Sequence, residues 1–95
     1  FVQPYSGIKS IPCWHQYVIM SEKRNDLQKY LNSLDIETMI HYPVPPHKQK
    51  AYSMMNNLSF PLAEQIAKQC LSLPINPFIS NINLQYIINK IDASY

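Results

Sequence analysis

The segment Ile40-His41-Tyr42-Pro43-Val44-Pro45-Pro46-His47, with Gln49 just beyond it, constrains this chain more than any other. Proline fixes φ, removes a backbone donor and pushes the residue before it into extended geometry. Tyr42 and Val44 are therefore held extended, and neither a helix nor a central strand can run through the segment. The result is a rigid loop that carries two imidazoles and a phenol. Such stiffness suits a loop that holds side chains in place for a purpose. The plain alternative is a connector whose rings pack on the domain's own surface.

The rest of the composition narrows the setting of this loop. A chain of 95 residues supports one domain and one modest core. Hydrophobic content of 46% fits a globular chain, and charged residues are sparse at 15%. A single glycine, Gly7, argues against a glycine-rich phosphate cradle, which needs close backbone approach at several positions. A net charge of +2 with scattered lysines does not mark a nucleic-acid partner. No apolar run reaches the ~20 residues that span a bilayer, and no signal pattern opens the chain, so no membrane partner and a cytoplasmic setting are expected. Cys13 and Cys70 are expected as free thiols.

Along the chain, residues 1–12 show no period and read as a lead-in segment. Trp14 to Met20 is aromatic and β-branched, which predicts a strand, central and covered because both faces are large. Ser21 is a candidate N-cap. Leu27, Tyr30, Leu31 and Leu34 follow at helical spacing, and Asp35 takes the turn. Ile36 to Tyr42 alternates and predicts a second strand, completing a β-α-β unit. After the proline loop comes a short helical piece over 47–55, broken by Asn56 and Asn57. Pro61 suits the first turn of a helix with Leu62, Ala63, Ile66, Ala67 and Cys70 as its buried stripe. Leu71 to Ile75 predicts a brief third strand, and Ser80 caps a last helix carrying Leu84, Ile87, Ile88 and Ile91. The expected fold class is α/β, a two-layer α+β sandwich. It has a small sheet of about three strands with helices packed on it, in β-α-β-α-β-α order.

Few side chains offer chemistry. His41 and His47 could supply two metal ligands, but no nearby Cys, Asp or Glu completes a set, and no metal is expected. Cys13 and His15 would share a strand face, yet neighbours in sequence seldom form a catalytic pair. His15, between Trp14 and Tyr17, reads as a hydrogen-bonded interior or interface residue. No serine sits in a glycine-flanked elbow, and no carboxylate pair lies near the loop in sequence. Arg24 reads as a solvated helix charge. What remains is His41, Tyr42 and His47 on a stiff loop, suited to a polar ligand with phosphates or hydroxyls, or to one wall of a cleft completed elsewhere.

Four segments together carry a resemblance. They are His15-Gln16-Tyr17-Val18-Ile19; Lys23-Arg24-Asn25-Asp26-Leu27 with Leu31 and Ile36; Ile36-Glu37-Thr38 through His41-Tyr42-Pro43-Val44-Pro45-Pro46-His47-Lys48-Gln49; and Phe60-Pro61-Leu62-Ala63-Glu64 with Leu71-Ser72-Leu73-Pro74-Ile75. In order and spacing they resemble the C-terminal small domain of the DegT/DnrJ/StrS-type nucleotide-sugar aminotransferases, over about residues 13–92. Asp35 stands where that family usually has glycine, and aspartate tolerates the left-handed region better than most residues. Arg24-Asn25-Asp26 has one residue between the family's adjacent Arg and Asp.

The resemblance implies residues 13–95 as a small domain like that of fold-type I pyridoxal-phosphate enzymes. It implies amino transfer, usually from glutamate, to a nucleotide-linked keto-sugar in polysaccharide or amino-sugar biosynthesis. The substrate-binding residues would be His41, Tyr42 and His47, which contact the sugar nucleotide or orient the loop, with His15 and Tyr17 as the supporting wall. In that family a large domain supplies the Schiff-base lysine and the phosphate-binding loop. Lys9, Lys23, Lys29, Lys48, Lys50, Lys68 and Lys90 all lie in polar or helix-surface contexts. The expectation is therefore a fragment or separate domain without the large domain. It binds no pyridoxal phosphate and is inactive alone, whereas the full-length enzyme carries the cofactor and is a homodimer. The rival is a stand-alone sugar-nucleotide-binding or protein-interaction module with Trp14, Tyr17 and Phe78 on an exposed apolar face.

Overall fold

Two short strands meet in antiparallel register at the centre of the chain, which a computed structural model describes over residues 7, 9 and 11–94. Most of the lead-in segment 1–12 thus lies outside the described residues. Strand β1 spans Tyr17–Met20 and β2 spans Cys70–Leu73, with Ile19 opposite Leu71 and Val18 opposite Ser72. Helix α1 spans Arg24–Asn32, α2 spans Pro61–Gln69 and α3 spans Asn81–Asp92. The core joins Ile19, Leu27, Leu31, Ile36, Leu71, Ile87 and Ile91. The mixed fold of small sheet and packed helices is as expected, but the strands differ.

The predicted strand over 36–42 reduces to one antiparallel bridge, in which Met39 and Ser72 exchange both backbone bonds at 3.1 and 2.7 Å. Pro43, Pro45 and Pro46 supply no N–H and bar any extension of the ladder beyond Tyr42. Consequently β2, not β1, lies between two neighbours, and Cys70, Leu71 and Ser72 are all buried. β1 starts only at Tyr17 and has β2 as its partner among the described strands. Trp14 precedes it, half-exposed, with its ring edge-on to Tyr17 at 5.5 Å.

Local signals hold well at the helix ends. Ile36 N–H donates to Leu31 O at 3.0 Å and Asp35 N–H to Asn32 O at 3.2 Å, the bond pair of a Schellman closure. Asp35 takes φ +59°, the left-handed region its side chain tolerates. Leu31 and Ile36 then meet in the core, the apolar contact that accompanies this closure. Replacing Asp35 with glycine removes the Cβ penalty, so Asp35→Gly is expected to raise stability by up to about 1 kcal/mol in urea unfolding. Pro61 opens α2, and Ser80 Oγ caps α3 by accepting from Asn83 N at 3.1 Å.

Other expectations need correction. Ser21 Oγ accepts from Lys23 N at 3.2 Å, one turn ahead of α1, so it orders the approach rather than capping the helix. Arg24 is only 8% exposed, with Nη1 donating to Cys70 O at 3.1 Å and Nε to Asn25 Oδ1 at 2.7 Å. It ties α1 to the start of β2 because its long stem covers apolar surface while the guanidinium meets a carbonyl. Cys70 belongs to β2, since α2 runs into that strand without a loop. Of the predicted α2 stripe Ala67 is buried, whereas Leu62 is 70% exposed and Ile66 is also exposed. The stripe is wider than the face this core covers. Leu84 and Ile88 of α3 are exposed for the same reason, with Ile87 and Ile91 buried. The piece after the proline loop forms two 3₁₀ turns, Pro46–Lys48 and Lys50–Met55, and ends at Asn56.

Candidate functional site

The bridge between Met39 and Ser72 decides where the proline loop begins. Its register sets His41 beside Cys70, whose Sγ lies 3.7 Å from His41 O. The imidazole turns back to β2, with Nδ1 2.8 Å from the buried Ser72 Oγ. The His41–Tyr42 peptide is cis, and the two rings meet edge-on at 5.5 Å.

Beside His41 opens a cleft of about 680 Å³, lined in part by His15, Gln16, Thr38, His41 and Ser72. The sequence-predicted residues divide around it. His15 and His41 share its wall, although His15 is exposed on a bend ahead of β1 rather than interior to a strand. Because β1 begins beyond them, Cys13 and His15 do not share a strand face. Tyr17 is half-buried and packs on the core behind. Tyr42 faces away, 70% exposed, along a separate groove of about 260 Å³ with Val44, Pro45, Pro46 and Ile66. His47 turns inward and is 5% exposed.

The partner of His47 is a residue that sequence spacing did not suggest. Glu64 Oε1 lies 3.0 Å from His47 Nε2 and accepts from Phe60 N at 3.1 Å. Phe60 also sets its ring edge-on to the imidazole at 4.9 Å. An ionised carboxylate only accepts, so Nε2 of His47 carries the proton it donates. Seventeen residues separate the two, and only the return of α2 toward the loop joins them. The available signal was the Phe60-Pro61-Leu62-Ala63-Glu64 segment, in which Pro61 starts a helix and Glu64 sits in its first turn. Ser72 was equally legible as a polar residue inside Leu71-Ser72-Leu73-Pro74, yet only the bridge shows what it binds.

His47's hydrogen bond is the main cause that holds the Glu64 carboxyl below its ordinary value of 4.5. The Phe60 N–H adds to this, desolvation opposes it, and the charges of Lys48, 4.0 Å away, and His47 assist. A depressed carboxyl pKa stabilises the fold fully above 4.5 and loses that contribution as pH falls through the lowered folded value. The stability gap between wild type and Glu64→Gln is therefore expected to stay constant above pH 4.5 and to narrow below it in urea unfolding.

Among the described residues no group of three His, Cys, Asp or Glu is placed to hold a metal ion. No described helix is long and apolar enough to cross a membrane.

A small α+β unit with a stiff ring-bearing loop strapped across its central strand is thus the class this fold defines. Residues 3–92 match the DegT/DnrJ/EryC1/StrS aminotransferase family, and the chain belongs to it. It is 43% identical over 79 residues, 83% of its length, to a dTDP-3-amino-3,6-dideoxy-alpha-D-galactopyranose transaminase of Aneurinibacillus thermoaerophilus. To a dTDP-3-amino-3,4,6-trideoxy-alpha-D-glucose transaminase of Streptomyces venezuelae it is 34% identical over 90 residues, 93% of its length. The crystal structure of S. venezuelae DesV in complex with a ketimine intermediate shares its fold at a TM-score of 0.90 and 33% identity, covering 97% of this chain and 25% of that one. The chain spans 22% and 24% of the two transaminases' lengths.

The family implies pyridoxal phosphate, whose anchoring lysine needs a desolvated pocket. Here Lys9, Lys23, Lys29, Lys48, Lys50 and Lys68 are exposed, and Lys90 stands 5.3 Å over the exposed Tyr86 ring. These residues do not fit a covalently held aldehyde.

Proposed function

We propose that this chain is the C-terminal small domain, residues 13–95 after a lead-in of 1–12, of a pyridoxal-phosphate-dependent aminotransferase. That enzyme, a cytoplasmic homodimer in this reading, moves an amino group from glutamate onto a nucleotide-linked keto-sugar. The reading is carried by one observation: the loop that presents His41 and Tyr42 is strapped to the central strand of a chain 43% identical, over 83% of its length, to a nucleotide-sugar transaminase.

In this reading the chain binds and orients, and proton transfers belong to the lysine-bearing domain that the family implies. Hydroxyl, imidazole and amide groups of Ser72, His41, His15 and Gln16 along the cleft match the hydroxyls and phosphates of a sugar nucleotide. Tyr42 presents its exposed ring and phenol on the other side of His41, along the separate groove with Val44 and Ile66, and Tyr17 backs the cleft wall. His47, set on the same loop, orients it.

The test is the product of the complete reading frame that encodes this chain. Incubated with glutamate and a panel of dTDP- and UDP-linked keto-sugars, it is expected to form an amino-sugar nucleotide in a glutamate-dependent manner. Binding of a sugar nucleotide without turnover would instead support the non-catalytic module, and turnover of none of the panel, with no binding, would sink the substrate class.

A further inference from the structure

The proline loop is held at both ends. At its start Met39 bridges to Ser72 and His41 Nδ1 meets Ser72 Oγ at 2.8 Å. At its end His47, nine-tenths buried, meets Glu64 at 3.0 Å. Only between these anchors does the loop expose its side chains, Tyr42 most of all. Prolines 43, 45 and 46 make the span between anchors stiff, so displacement of one anchor moves the exposed ring rather than being absorbed. Glu64 is itself fixed, since its Oε1 also accepts from Phe60 N at the start of α2. Lys48, next to His47, donates to Asn56 O at 2.8 Å and Leu58 O at 3.0 Å, which closes the segment that returns to α2.

We infer that the His47–Glu64 pair is a positioning clamp: it sets where the proline loop presents His41 and Tyr42, and so sets affinity for the nucleotide sugar without touching it. The inference rests on the function proposed above. It assigns to Glu64 a role in the reaction that its place on α2, 17 residues from His47, does not announce. It also separates His47 from the contact residues, because a ring this buried, bonded to a carboxylate and covered by Phe60, has its polar edge turned from solvent. A clamp of this kind acts on one substrate only. The inference concerns the nucleotide sugar alone, and the glutamate half-reaction serves as its internal control.

The experiment uses the full-frame enzyme with Glu64→Ala, His47→Leu, the double variant and Glu64→Gln. Loss of a hydrogen bond to a charged group is expected to raise KM for the nucleotide sugar about tenfold in each single variant. kcat and the rate of the glutamate half-reaction should stay near wild type. The double variant should match the singles, because both remove the same bond. Glu64→Gln keeps an acceptor for Nε2 and a partner for Phe60 N, and should recover most of the affinity. Hydrogen exchange supplies a readout apart from activity. The amides of Lys48 and Gln49, bonded to Pro45 O and Pro46 O at 2.9 and 3.1 Å, should exchange faster in Glu64→Ala and at the wild-type rate in Glu64→Gln. Additive KM effects, equal slowing of both half-reactions, or unchanged exchange would each overturn the clamp. A wild-type enzyme that aminates no nucleotide sugar would overturn the functional reading instead, and the exchange rates would still decide the clamp.

Discussion

Leu71→Ala is expected to cost this chain about 3 kcal/mol, more than any other single truncation proposed for it. Leu71 is fully buried on β2, the strand with a neighbour on each side, and its cross-strand partner Ile19 is equally covered. These two side chains form the floor on which Leu27 and Leu31 of α1 and Ile87 and Ile91 of α3 rest. Truncation therefore removes transfer energy and leaves a cavity that three elements would have to move to fill. Total stabilities of small domains run about 5–15 kcal/mol, so the loss is a large fraction of the whole. In thermal unfolding of the 95-residue chain it should appear as a fall of roughly 12–24 °C. Leu62→Ala on α2 is the matching control. That side chain is exposed, and its loss should change stability by no more than about 0.5 kcal/mol. Equal effects at the two positions would show that the core is not centred on β2.

The contrast between Leu71 and Leu62 also shows what a single sequence makes legible. Helical spacing identified α1 through Leu27, Leu31 and Leu34, and local chemistry identified the ends: Asp35 in the left-handed region, Pro61 opening α2, Ser80 capping α3. Each of these is decided within about a turn of chain. Periodicity does not say what an apolar stripe faces. Leu62 and Ile66 have the period of core residues, yet both stand exposed among the described residues. Strand length was overestimated over 36–42 because alternation reports exposure, whereas a ladder needs a neighbouring strand at each step, and there only Met39 meets one, at Ser72. Arg24 was misread, and Glu64 passed over, for one shared reason. A charged side chain's partner is set by tertiary return of the chain: Cys70 lies 46 residues from Arg24, and His47 lies 17 from Glu64. The site divides along the same line. That the loop is stiff and bears His41, Tyr42 and His47 was legible; that His41 and His47 are anchors at its two ends, with Tyr42 exposed between them, follows only from where β2 and α2 meet it.

His41→Ala should produce the largest loss of activity, about 10- to 100-fold in kcat/KM for the nucleotide sugar in the full-frame enzyme. The magnitude follows from the two bonds the imidazole makes, one that fixes it to β2 and one that it offers the substrate. Ser72 Oγ is buried on β2 and meets His41 Nδ1 at 2.8 Å. Removing the imidazole takes from the cleft a ring that meets a hydroxyl or phosphate of the substrate in the proposed reading, a bond of about 1.5–3 kcal/mol where the acceptor is charged, and each 1.4 kcal/mol corresponds to a factor of about ten. The same substitution empties the cleft wall of its ring and frees Tyr42, whose ring meets His41 edge-on. Two companions separate these effects. Asn places an amide atom near the position of Nδ1, so His41→Asn should keep the bond to Ser72 and recover part of the activity, with any shortfall measuring what the ring gives the substrate. Ser72→Ala removes the bond but keeps the ring in the cleft, where water can satisfy a half-exposed imidazole, and its loss should be smaller, roughly threefold. Steady-state kinetics of the three variants, alongside their thermal unfolding, decides the case. If His41→Ala folds and turns over the nucleotide sugar like wild type, His41 is a strap on β2 and nothing more, and the cleft beside it is not where the sugar binds.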